Sequence, residues 1–296
     1  MQRSVLLTEL RVKVTGASVD YVGSITIHEE FCDALGLLER QMVHIRNERT
    51  GVDLWTYVIR GDNTPAGTVC LNGAAAHLVQ VGDVVSITAH GLATTMTEAS
   101  DNPRQWDAVR NGVTQVVARM GKPSVTWADN VMLEYARGKV HRPRVTEVVS
   151  GEENNVIFPG LILDSAWAQE GGLCHGESVH VVSVTNGQRD ILTVRHAPKG
   201  SQQCAIHMGQ ANQFATQGYG SRPGYQAGDI IIAMNYGYIS RADVLKGKAP
   251  SMKICFPFER PAENPADDDF GAKSKLYQLW DKSANNGNNN KSKVTL

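Results

Sequence analysis

The residue pair Gly23-Ser24 has the side-chain types that self-cleavage of a peptide bond requires. It follows Tyr21-Val22 and precedes a β-branched run that is typical of a strand. Glycine tolerates strained backbone conformations, so its carbonyl can be presented to the hydroxyl of the next serine. Attack by that hydroxyl converts the amide to an ester, and elimination followed by hydrolysis leaves a pyruvoyl group. The alternative is a plain glycine-serine turn before a strand.

Three further motifs lie with this pair in residues 11–89: the hairpin Asn47 to Asp53, the dipeptide Thr56-Tyr57 and the string Asn72-Gly-Ala-Ala-Ala-His77. With them, the stretch resembles pyruvoyl-dependent aspartate 1-decarboxylase. The spacing from Ser24 to Tyr57 matches that family without a gap. The resemblance implies a mainly β fold, the double-psi β-barrel, and assembly as a tetramer.

The same resemblance implies a role for each motif. Gly23-Ser24 is the cleavage site, and Ser24 becomes a covalently bound pyruvoyl group, with neither metal nor pyridoxal phosphate. Thr56 aids processing and contacts substrate, Tyr57 donates a proton, and the site is lined by Asn72, Gly73, Ala74 and Ala75. A pyruvoyl ketone forms a Schiff base with a substrate amine and accepts the electrons left when carbon dioxide departs. A positioned phenol can return a proton to the resulting carbanion.

Short strings of sequence occur twice along the chain. Arg11-Val-Lys-Val-Thr15 returns as Arg142-Pro-Arg-Val-Thr146, and three other strings recur in the same order. Such repeats indicate a tandem duplication whose copies differ by loop insertions. We expect two aspartate decarboxylase-like barrels, residues 1–130 and 131–265, and a largely disordered acidic and polar tail, residues 266–296.

The two copies have lost different family residues. The family's first-strand lysine and histidine and its hairpin arginine are replaced in copy one by Thr8, Leu10 and Asp53. Copy two keeps these basic residues as Lys139, His141 and Arg189. We therefore expect a composite site, in which the pyruvoyl group comes from copy one and these three residues of copy two bind the substrate carboxylate.

Copy two lacks the residues for processing itself. Its cleavage position falls in Phe158-Pro-Gly-Leu161, which contains no serine. The alignment puts Leu192-Thr193 in place of the threonine-tyrosine pair and Met208 in place of Asn72. Copy two is thus expected to remain uncleaved.

These assignments predict pyruvoyl-dependent α-decarboxylation of a small acidic amino acid, with L-aspartate giving β-alanine as the expected reaction. Val182 stands where the family has a tryptophan, which leaves a substituted aspartate as an alternative substrate. A non-catalytic barrel that serves as a scaffold or regulator is the other alternative, because each copy has lost part of the family's residues. A homodimer would supply four barrels and imitate the family tetramer.

The composition argues against several other classes of function. The chain has 29 Lys+Arg and 30 Asp+Glu, so no basic excess exists to bind nucleic acid or an anionic membrane. Its five cysteines form no CxxC pair, which argues against a zinc site or a disulfide framework. With neither a membrane-length apolar run nor a signal-peptide pattern, a cytoplasmic protein is expected.

Short strands with one short helix should hold these residues in each copy. Apolar–polar alternation predicts strands over 43–47, 54–59 and 84–89, and residues 29–36 predict a two-turn helix that ends at a glycine. A further helix is predicted over 103–120, where apolar residues have helical spacing: Trp106, Val109, Val113, Val116 and Met120.

Overall fold

The computed structural model describes residues 3–20, 23–93, 103–123, 131–150, 160–208 and 224–254. The chain divides into two compact units. Unit 1 is Met1–Gly138, Val184–Gly187 and Asn235–Ile254, and unit 2 is Lys139–Ser183, Gln188–Met234 and Cys255–Leu296. The tail expected over 266–296 lies outside the described residues, as does the side chain of His141. Among the described residues, no helix is long and apolar enough to cross a membrane.

The sheet of unit 1 combines parallel and antiparallel pairs. Its strands are β1 (Arg3–Lys13), β2 (Gly16–Ser18), β3 (Ser24–His28), β4 (Met42–Asn47), β5 (Asp53–Gly61), β6 (Val69–Asn72), β7 (Val84–Ala93) and β8 (Arg104–Asp107). β2 pairs in parallel with β6, β6 antiparallel with β3, β3 in parallel with β5, β5 antiparallel with β4, and β4 antiparallel with β7. β7 also pairs antiparallel with β1. The predicted mainly β fold and the three predicted strands are confirmed.

Helix α1 (Glu29–Leu35) follows β3 directly and confirms the predicted two-turn helix. It begins after His28, whose Nδ1 accepts a hydrogen bond from the backbone amide of Glu30. The acidic residues of its first turn, Glu29 and Glu30, stabilise the helix because they lie at the positive end of its dipole. Gly36 ends the helix at φ +71°, a left-handed conformation that glycine adopts without a Cβ clash.

The core of unit 1 draws on one face of each strand. Along β5, Leu54, Thr56 and Val58 are buried and alternate with more exposed residues, as expected when successive side chains point to opposite faces of a sheet. Other side chains of this core with no more than 1 % exposure include Leu10, Ile25, Ile27, Phe31, Leu35, Ile45, Leu71 and Ile87. The same face of β5 that carries Thr56 therefore faces the core.

Residues 103–120 do not form the single helix that their spacing predicts. Arg104–Asp107 is strand β8, which pairs in parallel with β1, and only α2 (Ala108–Asn111) and α3 (Val116–Met120) are helical. The segment satisfies its backbone hydrogen bonds on the edge of β1, and Gly112, at φ +80°, ends α2. The apolar spacing arises because Trp106 and Val116 both pack into the core of unit 1.

Unit 2 pairs its strands in the same succession as unit 1. Its elements are β10 (Glu147–Ser150), β11 (Gly160–Asp164), α4 (Ser165–Glu170), β12 (Ser178–Ser183), β13 (Arg189–Ala197) and β14 (Cys204–Met208). β10 pairs in parallel with β14, β14 antiparallel with β11, β11 in parallel with β13, and β13 antiparallel with β12. β12 then pairs antiparallel with the first residues of β15 (Ile230–Ser240).

Two long strands have residues that belong to both units. β9 (Met132–Arg144) runs from unit 1 into unit 2, as β15 runs from unit 2 into unit 1. Helix α5 (Arg241–Leu245) and strand β16 (Met252–Lys253) complete unit 1.

Individual hydrogen bonds recur at matching places in the two units. The backbone amide of Thr15 donates to the carbonyl of Val69 over 2.8 Å, and that of Thr146 donates to the carbonyl of Cys204 over 2.7 Å. Both threonine hydroxyls also donate to the same carbonyls, each over 3.0 Å. The bonds and strand registers together give a residue-by-residue correspondence between the units, in which Val69 matches Cys204.

Candidate active site

Ser24 is the first residue of β3 and lies between two neighbouring strands. It stands opposite Asn72 of β6 in antiparallel register, and the next residue, Ile25, pairs with Val58 of β5. The serine is wholly buried, at 0 % exposure, and Gly23 before it is buried as well. The predicted cleavage position is therefore shielded from bulk water and fixed by strand pairing on both sides.

The hydroxyl of Ser24 is held by the side-chain amide of Asn72. Asn72 Nδ2 donates one hydrogen bond to Ser24 Oγ over 2.9 Å and a second to Thr26 Oγ1 over 3.0 Å. On the other side of the amide, Asn72 Oδ1 accepts a hydrogen bond from Cys70 Sγ over 3.5 Å. Because Asn72 occupies a lone pair of Ser24 Oγ, the serine proton is left to be donated elsewhere.

Thr56 and Tyr57 sit beside the cleavage position but on opposite faces of β5. The pairing of Ile25 with Val58 brings Tyr57 level with Ser24 and Thr56 level with Gly23. Alternation along the strand puts Tyr57 on the face of Ser24, and Thr56, at 2 % exposure, on the core face. Of the two predicted residues, Tyr57 thus shares the face of the serine hydroxyl, and Thr56 adjoins the glycine.

The 3₁₀ helix Gly73–Leu78 follows Asn72 immediately. Gly73 lies at φ +57°, which turns the chain directly after the asparagine, and Ala74 and Ala75 are buried at 1 % and 3 % exposure. At the other end of this short helix, His77 Nε2 hydrogen-bonds to the carbonyl of Val184 over 2.8 Å. The predicted lining residues therefore form one buried segment of small residues that adjoins Asn72, the partner of Ser24.

The turn Val184–Gly187 is held close against that 3₁₀ helix within unit 1. Gly187 lies at φ +78°, and a Cβ there would approach His77 Cβ to 3.0 Å and the carbonyl of Ala74 to 3.4 Å. A larger residue at position 187 would be strained by the positive φ and would require His77 to shift slightly. The turn Val184–Gly187 thus contacts the segment of unit 1 that follows Asn72.

Unit 1 has no basic residue at the three positions where the family resemblance predicts one, Thr8, Leu10 and Asp53. Thr8 Oγ1 donates to the carbonyl of Leu35 over 2.8 Å, and Leu10 is wholly buried in the core. Asp53 receives two hydrogen bonds from Arg46, over 2.9 and 3.0 Å, and these lower the pKa of its carboxyl. These positions therefore hold a buried hydroxyl, a core leucine and a carboxylate.

Unit 2 has cationic residues at the matching places. Lys139 lies half-buried in β9, and Arg189 begins β13, where it pairs with Val182. Burial, and then the nearby charge of Arg189, lower the pKa of His180 to about 3. Burial raises the pKa of Asp190 to about 6. At neutral pH His180 is uncharged, so the positive charge in this part of unit 2 comes from the guanidinium.

The strand registers correct one sequence alignment. Ser24 pairs with Asn72 in unit 1, and Gly160 pairs with His207 in unit 2. The counterpart of Asn72 is therefore His207, and the predicted counterpart, Met208, is wrong by one residue. The prediction placed Met208 before Gly209 in the register of Asn72 before Gly73, whereas backbone pairing fixes the register one residue earlier.

Cys70 and Thr26 were missed by the sequence analysis, although both contact Asn72. Each lies two residues along a strand from a predicted site residue, Cys70 before Asn72 and Thr26 after Ser24, so all four side chains share a face. That two-residue spacing was the available signal. Among the described residues, no group of three or more His, Cys, Asp or Glu side chains could hold a metal ion.

The chain is similar to known proteins over part of its length. A sequence model of the family described as aspartate decarboxylase matches residues 1–106. Aspartate 1-decarboxylase from Bacillus licheniformis is 40% identical over 123 residues, 41% of this chain and 94% of the relative. The enzyme of that name from Bacillus cereus is 43% identical over 122 residues, again 41% of this chain and 94% of the relative. The crystal structure of the computationally designed msDPBB_sym2 protein matches with a TM-score of 0.23 and 24% identity, over 27% of this chain and 96% of the design.

Proposed function

The chain belongs to the aspartate decarboxylase family, and from that membership we propose that it removes the α-carboxyl group of L-aspartate to give β-alanine. The proposal includes self-cleavage between Gly23 and Ser24, which converts Ser24 to a pyruvoyl group. The observation that carries it is the buried Ser24 hydroxyl held by Asn72 in family register.

The residues around Ser24 fit both the precursor and the pyruvoyl group. Ser24 Oγ attacks the carbonyl carbon of Gly23, and the C–N bond breaks as the nitrogen takes the hydroxyl proton. Loss of the Ser24 α-proton then expels Gly23 as a carboxylate and leaves dehydroalanine, which water hydrolyses to a ketone and ammonia. Asn72 can hold Oγ for the attack, and burial keeps water from competing with the hydroxyl.

A pyruvoyl group supplies an electron-withdrawing ketone that stabilises the carbanion formed when carbon dioxide leaves an α-amino acid. The chain's own residues bind the substrate and move its protons. We assign to Tyr57 the donation of its hydroxyl proton to the substrate α-carbon, a role supported by its place on the same face as Ser24. Thr56 and the segment Asn72–Ala75 shape the site.

We assign the substrate's carboxylate to Lys139, His141 and Arg189. Unit 1 has Thr8, Leu10 and Asp53 at its equivalent positions, so it offers no cation there. A guanidinium pairs with a carboxylate through charge-assisted hydrogen bonds. The complementary losses support the assignment, because the basic residues that copy one lacks are present in copy two.

We further propose that the two units arose by tandem duplication and that copy two lost self-cleavage. The matching strand succession and the recurring threonine hydrogen bonds support a common origin. With Gly160 and His207 at the positions of Ser24 and Asn72, copy two has no hydroxyl for the attack. Two chains would supply four copies, and we propose a homodimer.

Product formation tests the proposed reaction. The purified protein, incubated with L-aspartate, should release carbon dioxide and β-alanine in equal amounts, and Ser24→Ala should release neither. A protein that has cleaved itself but leaves L-aspartate unchanged would redirect the search to a substituted aspartate. A protein that neither cleaves nor decarboxylates would favour a scaffold role.

A further inference from the structure

The Cys70 thiol contacts the Asn72 amide but has no role in the proposed chemistry. Cys70 Sγ donates to Asn72 Oδ1 over 3.5 Å, which is nearer than its other acceptor, the carbonyl of Leu71 at 3.8 Å. Asn72 Nδ2 donates to Ser24 Oγ and Thr26 Oγ1 over 2.9 and 3.0 Å. The thiol therefore lies two hydrogen bonds from the hydroxyl that must attack Gly23. Burial raises the pKa of Cys70, which keeps the thiol protonated and able to donate at neutral pH.

The orientation of the Asn72 amide determines whether the hydroxyl proton of Ser24 is available for transfer. With Nδ2 towards the serine, Ser24 Oγ accepts a hydrogen bond, and its own proton remains available for transfer to the departing nitrogen. If the amide were turned over, Oδ1 would face Ser24 and accept that proton in a hydrogen bond. Both hydroxyls can donate as well as accept, so Ser24 and Thr26 favour neither orientation of the Asn72 amide. A protonated thiol favours the orientation with Oδ1 towards it, because it donates to Oδ1 and is a poor acceptor for Nδ2.

The place of the thiol is fixed by the strand next to it. Gly16 of β2 pairs with Cys70, and a Cβ on Gly16 would come within 2.9 Å of Cys70 Sγ. The thiol thus occupies the space that a side chain at position 16 would need. The glycine lets Sγ sit beside Asn72.

Unit 2 has none of this arrangement. The positions that match Cys70, Asn72 and Ser24 hold Ala205, His207 and Gly160. The thiol, the amide and the hydroxyl occur together only in the unit that carries the serine.

We propose that Cys70 is a positioning residue for self-cleavage, which acts by orienting the side-chain amide of Asn72 towards Ser24. The proposal rests on the proposed cleavage at Gly23–Ser24 and adds a residue that controls its rate.

The test measures the rate of cleavage of freshly made precursor by denaturing gel or mass. Cys70→Ala should slow cleavage about fivefold, the factor that corresponds to roughly 1 kcal/mol for one lost hydrogen bond. Cys70→Ser restores a donor at nearly the same place and should recover most of the rate. Cys32 is the matched control, since its buried thiol donates to the carbonyl of Ile27, outside this network, and Cys32→Ser should cleave at the wild-type rate.

A second variant acts on the thiol from the other side. Gly16→Ala should displace Cys70 Sγ and slow cleavage in the wild-type background, but it should add nothing to Cys70→Ala, where the space is open. A purely structural role for Cys70 would lower the unfolding midpoint and the cleavage rate together, and the serine variant would not rescue the rate selectively.

The outcomes distinguish a failure of the positioning role of Cys70 from a failure of the proposed function. If the wild type cleaves and Cys70→Ala cleaves equally fast, or if Cys70→Ser is as slow as Cys70→Ala, the positioning role is wrong and the proposed function stands. If the wild type itself never cleaves, the proposed function fails first.

Discussion

Asp83 anchors the β4–β5 hairpin to the turn that precedes β7. Its carboxylate, 7 % exposed, accepts hydrogen bonds from Arg49 Nε over 2.6 Å and Arg49 Nη2 over 2.9 Å. It also accepts from Asn47 Nδ2 over 2.7 Å and from the backbone amide of Gln80 over 2.9 Å. Asn47 Nδ2 in turn reaches the carbonyl of Leu78, at the end of the 3₁₀ helix. The loss of this carboxylate should therefore weaken the frame around the candidate site.

Asp83→Asn keeps the shape of the side chain but removes its charge and turns one acceptor into a donor. Hydrogen bonds to a buried charge contribute about 1.5–3 kcal/mol, whereas an ion pair with a half-exposed arginine contributes about 1 kcal/mol or less. Since the side chain of Arg49 is 51% exposed, we expect a net loss of about 2 kcal/mol. For a unit of this size, that loss lowers the unfolding midpoint by about 4–8 °C.

The stabilisation of the folded state by the Asp83 carboxylate also depends on pH. The hydrogen bonds from Arg49, the largest cause, hold the pKa of Asp83 well below its usual range. A carboxyl group with a lowered pKa stabilises the folded state above its unfolded-state pKa, near 3.9, and loses this contribution as the pH falls towards the folded value. The difference between the unfolding midpoints of the wild type and Asp83→Asn should thus be largest at pH 7 and become smaller below about pH 4.

Scanning calorimetry at pH 7 and at pH 3 measures both effects. Asp229→Asn is the matched control, because Asp229 accepts from the backbone amide of Gln226 over 3.0 Å, while Thr185 replaces the guanidinium of Arg49. Its midpoint should fall by less than half as much. Equal losses for the two variants, or an unchanged midpoint for Asp83→Asn at pH 7, would refute the reasoning.

Two further predictions concern the division of labour between the units. Arg189→Ala should lower kcat/KM for L-aspartate about ten- to a hundredfold, as expected for a lost charge-assisted contact, and leave cleavage at Ser24 unchanged. Arg195→Ala on the same strand is the control and should have little effect on kcat/KM or on cleavage. Full activity of Arg189→Ala would show that Arg189 does not belong to the site. Ser24→Ala and Lys139→Ala should each be inactive alone. When the two variants are co-expressed, part of the activity should return if the carboxylate-binding residues and the pyruvoyl group of one site come from different chains. No activity should return if they come from the same chain. A fully active Lys139→Ala would contradict both cases.

The local features of the fold were predictable from sequence because they depend on short-range rules. Helix α1 is marked by its apolar spacing and by Gly36, and β4 and β5 are marked by alternation on either side of a glycine turn. Residues 103–120 were mispredicted because the edge of β1, which is remote in sequence, takes up Arg104–Asp107 as a strand. Local spacing carries no information about that edge.

The site was predictable only as far as its motifs. The family resemblance placed Ser24 and Asn72 in one site, and their hydrogen bond follows from the register of β3 and β6. The partners of Asn72, Cys70 and Thr26, depend on the same register, which is set by the whole sheet. The assignment of Met208 instead of His207 failed for that reason as well.

The intact mass of freshly purified, denatured protein tests self-cleavage most directly. We predict two pieces, residues 1–23 ending in a free carboxylate and residues 24–296 beginning with a pyruvoyl group in place of the serine. Ser24→Ala should give one uncleaved chain. A wild-type protein that forms β-alanine from L-aspartate while its chain remains whole would contradict the central claim.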